Sequence, residues 1–595
     1  MSPQSTASTE AGPATFTPPT HREILTILGG LMLGMFLAAL DQTIVATSIR
    51  TIGDDLHGLS LQAWVTTAYL LTATISTPLY GKLSDLYGRK PLYLFAISVF
   101  VVGSLLSGTA DSMYQLAAYR GVQGLGAGGL MALAITILGD LVAPRERARY
   151  QAYFLAVFGT SSVLGPVVGG FFAGADTILG VDGWRWVFLI NVPIGIIAIL
   201  VISRVLHLPP LTRVDHRIDY PGALALVVAL VPLLVVAEQG RIWGWDSPRS
   251  IACYLIGAVG VAAFVVAERY AKADAILPLY LFRNRTFSVG AGANLVIGLG
   301  MFGGLATLPL YLQIAKGQSP TEAGLTLIPF TLGIMTGSIV AGQATSRTGR
   351  YKIFPVIGTV LMGIGALLFS RLEAGTGLPY VFAVSIVFGL GLGLTMQPLV
   401  LAVQNAVPVR DMGVATSSSL FFRQMGGTLG TAVFLSVLFS TVGGNIASAF
   451  RTATGTAEFQ AALADPAVLA DPANAPVLEM ARGGGAVPSL DDSSFITALD
   501  PRLAQPFLDG FAQSVDTVLL LAAVIMVFGL ILTVLLPELP LRNVSGIQGR
   551  FDDDAATAAQ ASPGATAVGG VTSIVADEAA VGRADQEAEN SSRSG

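Results

Sequence analysis

The chain has 595 residues, 53% of them hydrophobic and 12% charged, which excludes an ordinary soluble globular protein and points to a lipid bilayer as its solvent. A net charge of -5 without any basic block excludes an electrostatic nucleic-acid partner. Cys253 is the single cysteine and can form neither an intrachain disulfide nor a thiolate metal site.

Residues 1–22 are rich in Pro, Thr and Ser and lack the basic-then-apolar order of a cleaved leader, which predicts a disordered cytoplasmic tail. A membrane span takes about 20 mostly apolar residues. Six such stretches follow, at 24–49, 62–80, 91–108, 115–138, 152–172 and 186–206. Two more, at 220–237 and 251–267, precede a last six at 287–312, 323–344, 353–369, 380–403, 414–438 and 515–536. All are predicted to be helices, because backbone polar groups in lipid must be satisfied within their own segment and strand-type alternation is absent. Residues 441–514, rich in Ala, Gly and Asp, form a long loop before the last span, and 541–595 read as a second disordered tail. Lys and Arg gather in the even-numbered loops, at Lys82, Arg89 and Lys90, at Arg145, Arg147 and Arg149, and at Arg347, Arg350 and Lys352. The positive-inside bias then puts both termini in the cytoplasm and the 441–514 loop outside.

The frame G-x6-G-R occurs twice, at Gly81 to Arg89 and at Gly342 to Arg350, each time just after the second span of a six-span block. The chain therefore reads as an all-α polytopic protein of fourteen spans: a six-helix bundle at 23–206, a two-helix insertion at 207–287 and a second six-helix bundle at 288–540. Parallel repeats of this sort place a substrate cavity at their interface near the membrane midplane.

These residues also carry a resemblance. The loop Gly81-Lys82-Leu83-Ser84-Asp85-Leu86-Tyr87-Gly88-Arg89-Lys90 resembles the loop signature of the major facilitator superfamily, and Tyr119-Arg120-Gly121-Val122-Gln123-Gly124 resembles its fourth-span motif. Gly165-Pro166 and Gly169-Gly170 are similar to the fifth-span motif of its antiporters. Leu40-Asp41-Gln42-Thr43, the stretch Trp184 to Pro193 and Leu281 to Arg285 resemble motifs of its fourteen-span drug:proton antiporter branch. The second loop copy departs from the pattern, with Ser346 where the first has Asp85, so a carboxylate role belongs to the first half alone.

Three ionised side chains fall well inside spans: Asp41, Arg120 and Arg423. Each costs at least ~2.5–3.5 kcal/mol there and needs a reason. At a rise of ~1.5 Å per residue, Asp41 and Arg120 lie about 12 Å and about 8 Å from the outer surface, so they are expected to face each other across one cavity. Asp41 is the candidate proton carrier and Arg120 the cation that tunes it, roles that the resemblance also implies; a static pair holding two helices together is the competing reading. For Arg423 three readings stand side by side: an anion or substrate contact, a gate contact to Asp85, and plain packing. Gly81, Asp85, Gly88, Arg89 and Lys90 are expected to form a cytoplasmic gate, with Asp85 accepting hydrogen bonds at a helix N-terminus of the opposite half. Gly165, Pro166, Gly169 and Gly170 predict a kinked, closely packed fifth helix. Gln42, Gln123, Asn294 and Gln397 are candidate cavity groups, though intramembrane amides more often knit helices together.

The sequence contains no nucleotide-binding G-x-x-x-x-G-K-[ST] loop and no catalytic or metal-binding pattern. The expectation is a non-enzymatic, cofactor-free transporter in the cell membrane, acting as a monomer and exporting small amphipathic molecules against protons. Proton-linked transport of a dedicated metabolite, lipid or self-made antibiotic is the alternative, and a membrane receptor or scaffold is the competing class.

Overall fold

The computed structural model describes residues 20–57, 62–207, 219–272, 274–478 except 476, 496–542 except 497, and 545, 546 and 548. Almost all of both predicted tails lies outside the described residues. Each of the fourteen predicted spans falls on a helix. In the first bundle these are α1 (His21–Asp55), α2 (Gln62–Tyr87), α3 (Arg89–Ser107), α4 (Met113–Leu141), α5 (Pro144–Ala173) and a sixth span broken at Ile190 into α6 (Trp186–Leu189) and α7 (Asn191–Val205). The insertion is α8 (Tyr220–Trp243) and α9 (Pro248–Ala271). The second bundle is α10 (Arg285–Ile314), a span divided into α11 (Pro320–Thr326) and α12 (Ile328–Thr348), then α13 (Ile353–Phe369), α14 (Leu378–Ala406), α15 (Met412–Ala453) and, after short helices α16 (Ala457–Ala464) and α17 (Pro466–Ala470), α18 (Pro501–Leu535). Among the described residues, 11 helices meet the length and hydropathy of a membrane span, and α13 is a shorter apolar one. Strand structure among them is limited to Thr177–Ile178 against Val181–Asp182, a tight hairpin turned by Leu179 and Gly180 with φ of 53° and 77°.

Packing repeats with the sequence. In the first bundle α4 lies between α2 and α3, while α1 packs on α5 and α7; in the second, α14 lies between α12 and α13, while α10 packs on α15 and α18. The two halves meet reciprocally, α2 against α15 and α5 against α12. The inserted α8 and α9 pack on each other, and α8 also covers the seam between α2 and α15, where Leu226, Leu230 and Leu234 bury against Ile75 and Phe421.

Two helix bounds differ from expectation for a physical reason. At 42 residues α15 is about 63 Å long, twice the ~30 Å hydrocarbon core, and α18 has 35 residues. Both therefore continue beyond the bilayer, so the flanks of the predicted 441–514 loop are helix rather than loop. Phe450 sits edge-on to Phe459 and Phe507, with centroids 6.0 and 4.9 Å apart, and this aromatic cluster gives the projecting cap its own core. Asp465 and Asp500 accept from Arg502 at 3.0 Å each, bonds that hold both carboxyls below the usual carboxylate range. Their contribution is complete above the ordinary value of 3.8 and disappears as pH falls through the depressed folded value, so hydrogen-exchange protection of α16 and α17, corrected for intrinsic rates, should drop only in that acid window.

Close helix contact depends on glycine at α4. A Cβ on Gly126 would come within 2.5 Å of the Phe100 nitrogen and 2.6 Å of the Ala96 oxygen, both backbone atoms of α3. Gly126→Val should cost about 1–3 kcal/mol by overpacking and lower the melting temperature, while Gly443→Ala, with nothing within 4 Å and a helical backbone, should not lower it.

Candidate functional site

Asp41 and Arg120 meet directly. Both are buried, on α1 and α4, and Arg120 Nη1 donates to Asp41 Oδ2. Asp41 Oδ1 accepts from Gln123 Nε2 at 2.8 Å and from Asn191 Nδ2 at 2.9 Å. Ser104 of α3 completes the network: its hydroxyl accepts from the same two amides at 3.1 and 3.0 Å and donates to Phe188 O at 2.9 Å. The Arg120 guanidinium also donates to Gln123 Oε1 at 2.7 Å and lies 4.1 Å over the Tyr69 ring. No cavity separates the pair, contrary to expectation, because α1 and α4 come together inside one bundle. A buried ion pair is tolerable when further hydrogen bonds compensate its desolvation; Gln123 and Asn191 supply these to the carboxylate, and Gln123 also to the guanidinium, whose Nε has no partner among the described residues. Every partner of the carboxylate is a donor, so the arrangement fits the ionised form; adding a proton removes an acceptor, adds a donor and breaks at least one of these bonds.

The other predicted residues are distributed as follows. Gln123 belongs to this network rather than to a substrate cavity. Asn294 is buried and donates to Gly290 O at 2.9 Å, a bond within its own helix. Gln42 is exposed on α1, and Gln397 on α14 has a buried Oε1 without a partner. Gly165 and Gly169 of α5 face α1, where Ser48 Oγ donates to Gly169 O at 3.1 Å and Thr43 Oγ1 to Ser161 O at 3.0 Å. Pro166 lies inside an unbroken α5, and Gly170 meets nothing within 4 Å.

A second constellation closes the seam between the bundles at the end carrying the loop motif. Asp85 Oδ2 accepts from Val414 N, at the start of α15, at 3.1 Å, while Oδ1 pairs with Arg89 at 2.5 Å. Arg89 in turn donates to Asp140 at 2.7 Å and Ser84 at 2.5 Å. A Cβ on Gly81 would strike Ser417 of α15, and Gly88 has φ of 95°, open to glycine but costly for other residues. Lys90 stays out of this cluster and binds Ser203 O of its own bundle at 2.7 Å. From α5, Arg145 Nε donates across the seam to Ser346 O at 2.7 Å, and the buried Arg147 donates to Gln404 Oε1 at 2.6 Å and to Val142 O at 2.8 Å. Burial away from water pushes Arg147 down to about 10. Arg423 makes no ion pair with Asp85: it lies nine residues further along α15 than Val414, about 14 Å away along the axis.

Residues 31–431 match the sequence profile of the Major Facilitator Superfamily. The chain belongs to this family. It is 37% identical over 413 residues to the multidrug transporter protein MdtP of Bacillus subtilis, covering 69% of this chain and 75% of that one. It is 39% identical over 322 residues to a tetracycline resistance determinant of Streptomyces rimosus, covering 54% and 92%. In fold it is similar to the proton:xylose symporter XylE, with a TM-score of 0.53 at 13% identity over 89% of this chain and 99% of that chain. This is accordingly a multi-pass membrane transporter rather than an enzyme.

Sequence reasoning missed Asn191, Ser104, Asp140, Arg147 and Gln404. Asn191 carried a legible signal, an amide alone in an apolar run two residues before Pro193. The others gave none, since their partners come from distant helices. Losing the Asp85 to Val414 bond, a charge-assisted one of about 1.5–3 kcal/mol, should open the seam. In a Cys253→Ser background, maleimide labelling of a cysteine at the buried position Ser417 should accelerate about tenfold when Asp85→Ala is added.

Proposed function

We propose that this transporter exports small amphipathic molecules in exchange for protons by alternating access, with Asp41 as the proton site. The single observation behind this reading is the buried carboxylate whose every hydrogen bond comes from a donor. Protonation cannot leave that network intact, so proton uptake is mechanically coupled to the seating of α4 and α7 against α1. The relatives named as multidrug transporter and tetracycline resistance determinant support export and a drug-like cargo.

In this reading the motif end is cytoplasmic, and Asp85, Arg145 and Arg147 hold it shut while the opposite end admits a proton. Neutralising Asp41 frees Arg120, lets α4 shift and weakens the seam; the cytoplasmic side then opens, cargo enters, and return of Arg120 to the carboxylate expels the proton inward. The proton gradient is the energy source and no cofactor takes part. The lipid bilayer of the cell membrane is the working environment, and one chain suffices as the unit.

Asp41→Asn keeps the shape and removes the charge. In everted vesicles it should lower gradient-driven accumulation of a cationic dye or tetracycline at least tenfold, while gradient-free counterflow of the same compound persists. Wild-type accumulation by that variant would defeat the assignment, and wild-type vesicles whose imposed proton gradient survives addition of a transported compound would defeat antiport itself.

A further inference from the structure

Arg423 is a positive charge without a counter-charge among the described residues. It is half-buried on α15, and among the described residues it has no hydrogen bond, ion pair or ring contact through its side chain. Asp41 is taken by Arg120, Gln123 and Asn191, and Asp85 by Arg89 and the α15 N-terminus. An arginine stays protonated at any working pH, so the chain bears the cost of a lone membrane-embedded cation, at least ~2.5–3.5 kcal/mol.

Of the three readings open from the sequence, the gate contact is not made. Between plain packing and an anion or substrate contact, placement favours the contact, and the guanidinium bonds no carbonyl among the described residues, unlike that of Arg147. The next residue, Gln424, accepts from Thr77 of α2 at 3.3 Å, so this turn of α15 stands at the seam between the bundles. Its distance from the α15 N-terminus at Met412, about 16 Å along the axis, is near half of the ~30 Å hydrocarbon core. That is the depth at which parallel-repeat transporters hold cargo. The neighbouring side chains Phe421, Phe422 and Met425 belong to an apolar cluster with Ile75, Leu226 and Leu230, suited to a hydrophobic body.

We propose that Arg423 is the anion-binding group of the cargo site and that the cargo includes amphipathic carboxylates. The guanidinium fork would engage both carboxylate oxygens, with the apolar part of the molecule against the phenylalanine and methionine side chains. The inference rests on the export reading for the place where cargo sits.

The test uses the full-length protein in nanodiscs, without a gradient, and two probes of matched shape, dansylaminoundecanoate and its neutral primary amide. Wild type should bind the carboxylate at least about tenfold more tightly than the amide, Arg423→Gln should bring the ratio near one, and Arg423→Lys should keep part of the preference because the charge remains while the fork is lost. Size-exclusion profile and melting temperature of both variants confirm folding. A wild-type ratio near one, or a ratio unchanged in Arg423→Gln, overturns the proposal. The companion measurement is gradient-driven efflux of both probes from vesicles. A carboxylate preference in binding without gradient-driven efflux leaves the anion site standing and removes the export reading; equal efflux of both probes, unaltered by Arg423→Gln, does the reverse.

Discussion

The arrangement depends on one constraint: a carboxylate and a guanidinium buried together in a membrane protein must neutralise each other and find further hydrogen bonds. Asp41 meets it by drawing in Gln123 and Asn191, to which Ser104 is bonded in turn, so α1, α3, α4 and α7 are tied at one point, while Arg120 Nε is without a partner among the described residues. The two bundles touch at the α2–α15 and α5–α12 seams.

Those seams show how a repeat can be symmetric in packing and asymmetric in chemistry. In the first half the loop motif supplies a carboxylate, Asp85, to the N-terminus of α15, where exposed amide groups and the helix dipole favour negative charge. In the second half Ser346 replaces the acid, and the same region instead offers the carbonyls of Ser346 and Arg347, at the end of α12, to Arg145 from α5. A cation there is favoured by the opposite end of a helix dipole. One crossing thus carries an acid on a helix start and the other a base on a helix end, and both close the same side of the molecule. The glycines at Gly81 and Gly413 leave room for this contact, since a side chain at either would displace Ser417 or Asp85.

The insertion has a place in the same scheme. α8 covers the α2–α15 seam with an apolar layer of Leu226, Leu230 and Leu234, with Val231 beside them. The cap formed by the far ends of α15 and α18 is packed by phenylalanines and pinned by Arg502, at the end of the molecule opposite to the latch.

By itself the sequence determined the fourteen helices, the six-plus-two-plus-six order and the family, because the need to satisfy backbone polar groups in lipid is local and writes itself as uninterrupted apolar runs. It also singled out Asp41, Arg120 and Arg423, since charges within such runs are costly and therefore conspicuous, and Asp85 through the loop motif that carries it. Only the tertiary structure decided what those charges do: that Asp41 and Arg120 touch instead of facing a cavity, that Gln123 and Asn191 serve the carboxylate, that Lys90 stands apart from the Asp85–Arg89 cluster, and that Arg423 has no partner among the described residues. The reason is physical. Desolvation is a property of one residue in its run, whereas pairing depends on which distant helix the fold brings within about 3 Å.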